Sequence, residues 1–505
     1  MKSRYLTIVT MATLSISLSG AAGAAEFVVT NAESIGEGSF YDIYRETEAS
    51  AGPDTITFDA ELFDVPRTIT LPLQIYVTEN LSIEGPGSDL LTLELIEIAF
   101  QDWFYISGTP SNRPTFTIEG VTISSLSNDA QKRMIFAPDA NIFMRDVRMF
   151  SNGNHLIQGS GSAIATYNGD LVIQDSSIEG FTSHFRGGAV FARYQDGGHI
   201  LIERSAFRGN QVVSDTGATG FPKDGGALFV ESGPVPSLTP RLEIISSEFS
   251  DNRTPSGSGA AISFHGPVST SIANSTLSNN TANGGYGGAV YGLNTSSVVS
   301  LSMYVDTSTM VDNTASQHGG AITTRGNARL GLRITNSVIA RNTSTNRPAA
   351  QDVYSTDVVA SHSLIGDEPG DNDETIITEH TSATGSLILN EDPMLGSLAF
   401  NGGDTRTNAV RSGSPLIDAG REGVAPHDGS PETFSNDQRG TGFERVSGAQ
   451  IDIGAYEFVA SGGGDGGSGR GGGGGGGGGS TTPLEWLLLA GLAAVVRRRG
   501  QCGQD

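Results

Sequence analysis

A single pattern recurs through the middle of this chain and constrains the fold more than any other feature: apolar, any, apolar, two residues, Ser or Val, one residue, apolar, two residues, Asn. One copy reads Ile142, Met144, Val147, Met149, Asn152, and others read Ile200, Ile202, Ser205, Phe207, Asn210 and Leu242, Ile244, Ser247, Phe249, Asn252. Ile272, Ser275, Leu277, Asn280 follow, then Met303, Val305, Ser308, Met310, Asn313 and Leu332, Ile334, Ser337, Ile339, Asn342, with weaker copies beginning at Phe116, Leu171 and Val358. The copies start at positions 116, 142, 171, 200, 242, 270, 303, 332 and 358, with steps of 26 to 42 residues. Such a period belongs to a solenoid, in which each repeat can bury its apolar side chains only against its neighbours.

Alternation over three or four residues marks a short, half-buried strand. Two such strands meet at a corner without the Asn-Gly or Gly-Gly signal of a hairpin, so the chain bends there and continues in the same sense. After the Asn comes a Gly-Gly-Ala-apolar block at Gly187, Gly225, Gly287 and Gly319, with a variant at Gly259-Ala260-Ala261-Ile262. Its glycines permit a sharp corner and its apolar end starts a third strand. The expectation is an all-β protein: a right-handed, single-stranded parallel β-helix with three short strands per coil and about ten to eleven coils. The 68 glycines suit many short strands and turns better than a helical core. The recurring Asn suits backbone bonding at a corner and to its counterpart one coil away, the alternative use being contact with a glycan. The Leu-x-x-Leu-x-Leu signature of a leucine-rich horseshoe is absent.

The Phe-x-x-Asn pairs at Phe207 and Phe249, with the Gly-Gly-Ala blocks, resemble the repeats of polymorphic outer-membrane proteins and of bacterial surface β-helices in the pectin-lyase-like superfamily, over roughly residues 140 to 345. The stretch from Phe27 to Asp59 is similar to the opening of secreted β-helix proteins, with an amphipathic turn at Ser39–Glu46 that would cover the first coil. Toward the other end come Asp392-Pro393-Met394-Leu395-Gly396, Asn401-Gly402-Gly403-Asp404, Ser414-Pro415-Leu416-Ile417-Asp418-Ala419-Gly420, Asp437-Gln438-Arg439-Gly440 and Asp452-Ile453-Gly454-Ala455-Tyr456-Glu457-Phe458. This ordered set resembles the choice-of-anchor Q domain, a module preceding cell-surface anchoring signals. Asp418, Asp437, Arg439, Asp452 and Glu457 are expected to knit that loop-rich cap through ion pairs and backbone bonds, or else to form a metal or ligand site.

The ends read as addresses. Lys2 and Arg4, an apolar run from Tyr5 to Leu18 and a small-residue exit make residues 1–24 a signal peptide, cut by signal peptidase after Ala24 or Ala25. Residues 25–80 then hold the N-terminal cap and first coils, 81–390 the parallel β-helix, 391–458 the anchor-Q-like region and 459–481 a glycine-rich linker. Residues 482–505 carry an apolar run, Trp486 to Val496, closed by Arg497, Arg498 and Arg499. This end resembles the GlyGly-CTERM sorting signal. That likeness implies transient membrane insertion, cutting near Gly479 and Ser480 by a rhomboid-type protease, type II secretion and display on the surface of a Gram-negative cell. A plain inner-membrane anchor facing the periplasm is the other reading. The one cysteine, Cys502, lies in this tail, so no disulfide is expected to brace the body. A formal net charge of -25 disfavours nucleic acid as a partner.

For chemistry, the template aligns one corner position into a column: Asp146, Asp175, Arg204, Ser246, Asn274, Thr307, Asn336, His362. Adjacent coils bring Asp146 and Asp175 within about 5 Å, a pairing that could hold Ca2+, with Arg204 placed as base or oxyanion partner of a polysaccharide lyase or glycoside hydrolase. Asp and Asn are also the residues that a tight corner selects for backbone bonding alone. Further candidates are the insertions Gln211–Asp224 and Glu231–Pro240, the aromatic trio Trp103, Phe104, Tyr105, and the acidic run Asp367–Glu374. The expected role is a non-enzymatic surface protein that binds a glycan or another surface protein or forms part of the cell envelope, with a calcium-dependent polysaccharide lyase or glycoside hydrolase as the alternative.

Overall fold

The computed structural model describes residues 24–460, apart from 97–101, 126–132, 152–155, 158, 196, 214–222, 234–237, 327–329, 347–350, 356, 367–376, 380–386 and 423–433. The described residues through Val459 belong to one compact unit. Asn152, the acidic run 367–374 and the C-terminal sorting segment lie outside the described residues, and the insertions 211–224 and 231–240 lie partly outside them.

One coil shows how the template becomes structure. The strand His199–Glu203 ends at Arg204, whose φ of 47° turns the chain, and Ala206–Arg208 continues the same sheet. A two-residue strand, Gln211–Val212, follows Asn210, and Leu228–Ser232 closes the coil. Each segment pairs in parallel with its equivalent one coil on: Ile200 with Leu242, Phe207 with Phe249, Leu228 with Ile262. Among the described residues the pairings form a bent sheet of 23 strands, a sheet of ten and a narrow one of seven. The ten-stranded sheet counts ten turns, so the fold is a parallel β-helix. The two-residue strand after the Asn was not legible in the alternation, because two residues carry no period.

Three stacked files hold the turns together. Inside, Phe207, Phe249, Leu277, Met310 and Ile339 stand in register, all fully buried, with the two phenylalanine rings parallel 4.7 Å apart. At the corner, the backbone N–H of each template serine donates to the hydroxyl of the next: Ser176 to Ser205, then Ser247, Ser275, Ser308, Ser337 and Ser363, at 3.0–3.2 Å. At the second bend, the side-chain amides of Asn210, Asn252, Asn280, Asn313 and Asn342 form a buried ladder at 2.9–3.2 Å that ends on Asp352 at 2.7 Å. Each asparagine from Asn210 on also donates to a main-chain carbonyl of the turn below, as Asn280 does to Phe249 at 2.9 Å. Buried polar groups satisfied this completely impose the register.

The Gly-Gly corners need glycine. Gly187, Gly225, Gly259, Gly287 and Gly319 all have φ between 59° and 73°, and a Cβ on Gly225 would overlap the carbonyl oxygen of Leu228.

A row of aromatic rings runs up the outer face of the ten-stranded sheet. Tyr76, Tyr105, Phe136, Tyr167, Phe191, Phe229, His265 and Tyr291 follow with centroids 4.9–5.9 Å apart. Where the register column has a small residue, Ala165 or Ser263, the ring comes from two positions further along the strand, Tyr167 or His265.

The single helix among the described residues, Phe40–Ala49, starts at Ser39, whose hydroxyl caps Asp42 N–H, and buries Phe40, Ile43 and Tyr44 against the strands Ala25–Val29 and Asp54–Phe58. At the other end, the described residues of 391–458 contain one antiparallel hairpin, Leu395–Ala399 with Thr407–Val410, and otherwise irregular chain. Leu395, Val410, Leu416 and Ile453 pack on Val311, Val338, Ala340 and Leu364, which point outward from the second strands. This region therefore lies along the flank of the β-helix.

Candidate functional site

Every member of the corner column has a left-handed backbone, with φ between 44° and 51° from Asp146 to His362. A non-glycine residue there costs about 1 kcal/mol, least for Asp and Asn, whose short side chains bond locally. The column therefore answers first to the bend between the two strands. Arg204, Thr307 and His362 hold it without that advantage, supported by the serine ladder beside them.

The corner nonetheless brings the three predicted residues to one place. Asp146, Asp175 and Arg204 line a cleft of about 710 Å³, together with Arg148, Phe150, Glu179 and Arg208 from the second strands. Phe400, Gly403, Asp404 and Thr405 of the C-terminal region form its far side. Phe150 is 40% and Phe400 63% exposed, so two apolar ring surfaces meet solvent at a charged cleft.

Most of the charges in it are paired. Arg204 grips Asp175 with two bonds, Nε at 2.6 Å and Nη2 at 3.1 Å, and also contacts Glu203. The bond to Asp175 raises the guanidinium above its ordinary value. Asp146 receives the Ser88 hydroxyl at 2.6 Å and the Ser88 N–H at 3.2 Å. Arg148 pairs with Asp89, and Arg208 with Glu179 at 2.7 Å. These commitments do not fit a calcium ion: the oxygens it would need from Asp175 face a guanidinium, and those of Asp146 accept from Ser88. Among the described residues no three His, Cys, Asp or Glu side chains converge as metal ligands.

Below the cleft an ion cluster ties the C-terminal region down. Glu248, with no exposed surface, takes Arg208 from its own sheet at 2.7 Å and Arg406 from the C-terminal region at 2.7 Å, with the Ser250 hydroxyl at 2.5 Å. Burial raises its carboxyl, but the bonds and charge of Arg208 and then Arg406 outweigh it and hold it below its ordinary value. Arg208 also lies 5.3 Å from the Phe400 ring centre, so the cluster positions one wall of the cleft.

Asp418, Asp437, Arg439, Asp452 and Glu457 of the C-terminal region are knitted by ion pairs and backbone bonds. Arg439 is bidentate to Asp437, Nε donating to Oδ1 at 3.1 Å and Nη2 to Oδ2 at 2.6 Å, between the rings of Phe443 and Tyr456. Glu457 accepts the N–H groups of Ser447 and Asp452, at 3.0 and 2.9 Å, and Asp418 those of Ala449 and Gln450, at 2.6 and 3.0 Å. Asp418 also lines a separate cleft of about 640 Å³ with His362, Arg421 and Glu422.

Of the other candidates, Trp103 and Phe104 are core, while Tyr105 faces outward in the aromatic row. Ala24 and Ala25 stand at the start of the first strand, and Gly479, Ser480 and Arg497 to Arg499 lie outside the described residues. Sequence reasoning missed Phe150, Glu179, Arg208, Phe400 and Asp404. The first three could have been found, because they are outward positions of second strands beside the Asp column; the last two arrive from far along the chain.

The topology defines the class: a parallel β-helix with a folded-back C-terminal flank. No protein-family model and no curated protein matches the sequence. Among solved structures the chain is similar to pectate lyase Pel9A, at 15% identity over 86% of this chain and 97% of that one, TM-score 0.43. It is also similar to the mannuronan C-5 epimerase AlgE6 A-module of Azotobacter vinelandii, at 12% identity over 68% and 100%, TM-score 0.32. A third likeness is to tailspike protein 3 of bacteriophage CBA120, at 13% identity over 70% and 56%, TM-score 0.31.

Proposed function

We propose that this protein is exported and displayed at the cell surface, where it binds an extracellular glycan, without turning it over, in the cleft between the second strands and the C-terminal region. The observation that carries the reading is the make-up of that cleft: two exposed phenylalanine rings, Phe150 and Phe400, beside the ion pairs Asp175–Arg204 and Glu179–Arg208 and an Asp146 bonded to Ser88. Rings stack on the apolar face of a sugar, and Arg–carboxylate pairs offer donors and acceptors to its hydroxyls. A general acid or base needs a carboxylate free to exchange a proton with substrate. Asp175 held by Arg204 and Asp146 held by Ser88 are not presented that way.

Export rests on the basic, apolar and small-residue N-terminus, where a signal peptidase would act, and display on the likeness of residues 391–458 to the choice-of-anchor Q domain and of the tail to GlyGly-CTERM signals. Those likenesses imply a rhomboid-type protease and type II secretion as partners.

The second reading, a polysaccharide lyase or glycoside hydrolase, is favoured by the meeting of Asp146, Asp175 and Arg204 on one cleft. Purified residues 26–458, screened against a polysaccharide panel with and without calcium, separate the two. Binding without bond cleavage, weakened by Phe400→Ala, supports the proposal. Cleavage that Asp175→Ala abolishes overturns it.

A further inference from the structure

The aromatic row on the ten-stranded sheet is a second ordered surface, remote in register from the corner column and not used by the cleft. Its first five rings, Tyr76, Tyr105, Phe136, Tyr167 and Phe191, follow one per turn with centroids 5.3–5.9 Å apart. Tyr76 is 44% exposed, and Tyr105, Phe136 and Tyr167 are half-buried, so solvent reaches the row along this stretch. The core does not need it, since the inward residues of the same strands are already fully buried. Where Ala165 would interrupt it, Tyr167 from the neighbouring outward position fills the gap.

Beside the exposed rings, Arg133, 5.0 Å from the Phe136 ring centre, pairs with Asp102 at 3.5 Å and the two charges cancel. At the buried Phe191 end, Arg186 and Arg193 share the one carboxylate of Glu231, at 3.0 and 3.4 Å, which leaves one positive charge there. The Arg133–Asp102 pair thus adds no net charge beside the exposed rings, which suits an uncharged occupant on that stretch.

The geometry points to a track for an uncharged linear polysaccharide, laid lengthwise along the β-helix on Tyr76, Tyr105, Phe136 and Tyr167, the rings of the row that solvent reaches. Turns of the helix advance by roughly 4.8 Å, close to the advance of one pyranose along an extended glycan, so row and polymer share a period; Phe136 stands at 77° to Tyr105 and 89° to Tyr167, so ring faces and edges alternate along it. A one-dimensional row fits a linear polymer better than it fits a rounded protein surface. The Arg–carboxylate pairs flank the rings as hydrogen-bond partners for the sugar hydroxyls. This site stands independently of the cleft.

The test is affinity electrophoresis and calorimetry of the full mature protein with a soluble neutral glucan, a galactomannan and polygalacturonate, and with glucan oligomers of two to six sugars. A triple variant, Tyr105→Leu, Phe136→Leu, Tyr167→Leu, keeps apolar bulk but removes the rings, and its unfolding transition is measured alongside. A single-ring variant, Tyr76→Ala, at the most exposed position, serves if the triple variant does not fold. The expected result is binding to a neutral polymer, at least tenfold tighter for five or six sugars than for two. With Phe400→Ala as the common background, so that the cleft's ring is absent from every sample, that binding falls at least tenfold in the triple variant, or severalfold in Tyr76→Ala. The inference is overturned if neither neutral polymer binds, if only polygalacturonate binds, if the row variants bind as well as wild type, or if they abolish self-association instead of glycan binding.

Discussion

Replacing Asn280 with leucine tests the asparagine ladder where it is fully enclosed. The Asn280 side-chain oxygen accepts the Asn252 backbone N–H at 3.1 Å and its side-chain amide at 2.9 Å, while its own amide donates to Phe249 O and to Asn313, each at 2.9 Å. Leucine is close in volume but makes none of these bonds. It leaves a main-chain N–H, a main-chain carbonyl and one amide hydrogen unpaired in a dry interior. Each such group costs about 1–3 kcal/mol, and because neighbours share the relaxation the sum is expected near ~3–5 kcal/mol. Asn279, its exposed neighbour with φ of 61°, is the control, since glycine accepts that backbone and removes only solvated atoms. Chemical denaturation measures both, with hydrogen exchange at the Asn252 amide as a local readout. If Asn280→Leu lowers stability by no more than Asn279→Gly, and the Asn252 amide stays protected, the ladder does not hold the turns and the reasoning fails.

Three further outcomes follow from the same structure. Gly225→Ala is expected to cost several kcal/mol, because its Cβ overlaps Leu228 O, whereas Gly209→Ala, with φ of 62° and open space around it, costs only the left-handed backbone term of about 1 kcal/mol; thermal denaturation ranks them. Glu248→Ala leaves Arg208 and Arg406 facing a buried gap, costs about 3–5 kcal/mol, and exposes residues near Arg406 to limited proteolysis before the β-helix itself is cut. Burial pushes Glu457 up to about 7 and Asp306 up to about 6, against backbone and side-chain hydrogen bonds respectively. Both folded carboxyls keep a proton that the unfolded chain has released, so their contribution falls as pH rises from the ordinary carboxylate range through about 7. Glu457→Gln should flatten that decline, and denaturation midpoints that run parallel for wild type and variant from pH 5 to pH 8 would contradict it. Glu248, held low, acts with the opposite sign and weakens the fold as pH falls through its depressed value.

Features that repeat were legible, because one rule is written many times over. The template placed the interior file from Phe207 to Ile339, the serine and asparagine ladders and the Gly corners, and it aligned Asp146, Asp175 and Arg204 before any coordinates. Features that happen once were not. Nothing in the repeat says that Arg406 returns to Glu248, or that Phe400 roofs a cleft begun by Phe150, since these contacts join segments more than 150 residues apart. The outer aromatic row escaped for another reason: its rings come from two alternating strand positions, as at Ala165 and Tyr167, so no single column of the sequence shows it. The left-handed backbone of the whole corner column also explains why carboxylates there are weaker evidence for catalysis than their alignment alone suggests.

The stacking of turns in register is tested most directly by pulsed electron spin resonance between nitroxide labels, after Cys502 is replaced by serine. Leu201, Glu243, Ser271, Tyr304, Arg333 and Val359 occupy one outward register column. With one label at Leu201 and the other moved from Tyr304 to Arg333 to Val359, the account predicts distances near ~14, ~19 and ~24 Å before label offsets, rising by roughly 4.8 Å per turn. Distances that fail to rise in equal steps, or that follow the 29 and 26 residues separating Tyr304, Arg333 and Val359, would contradict it.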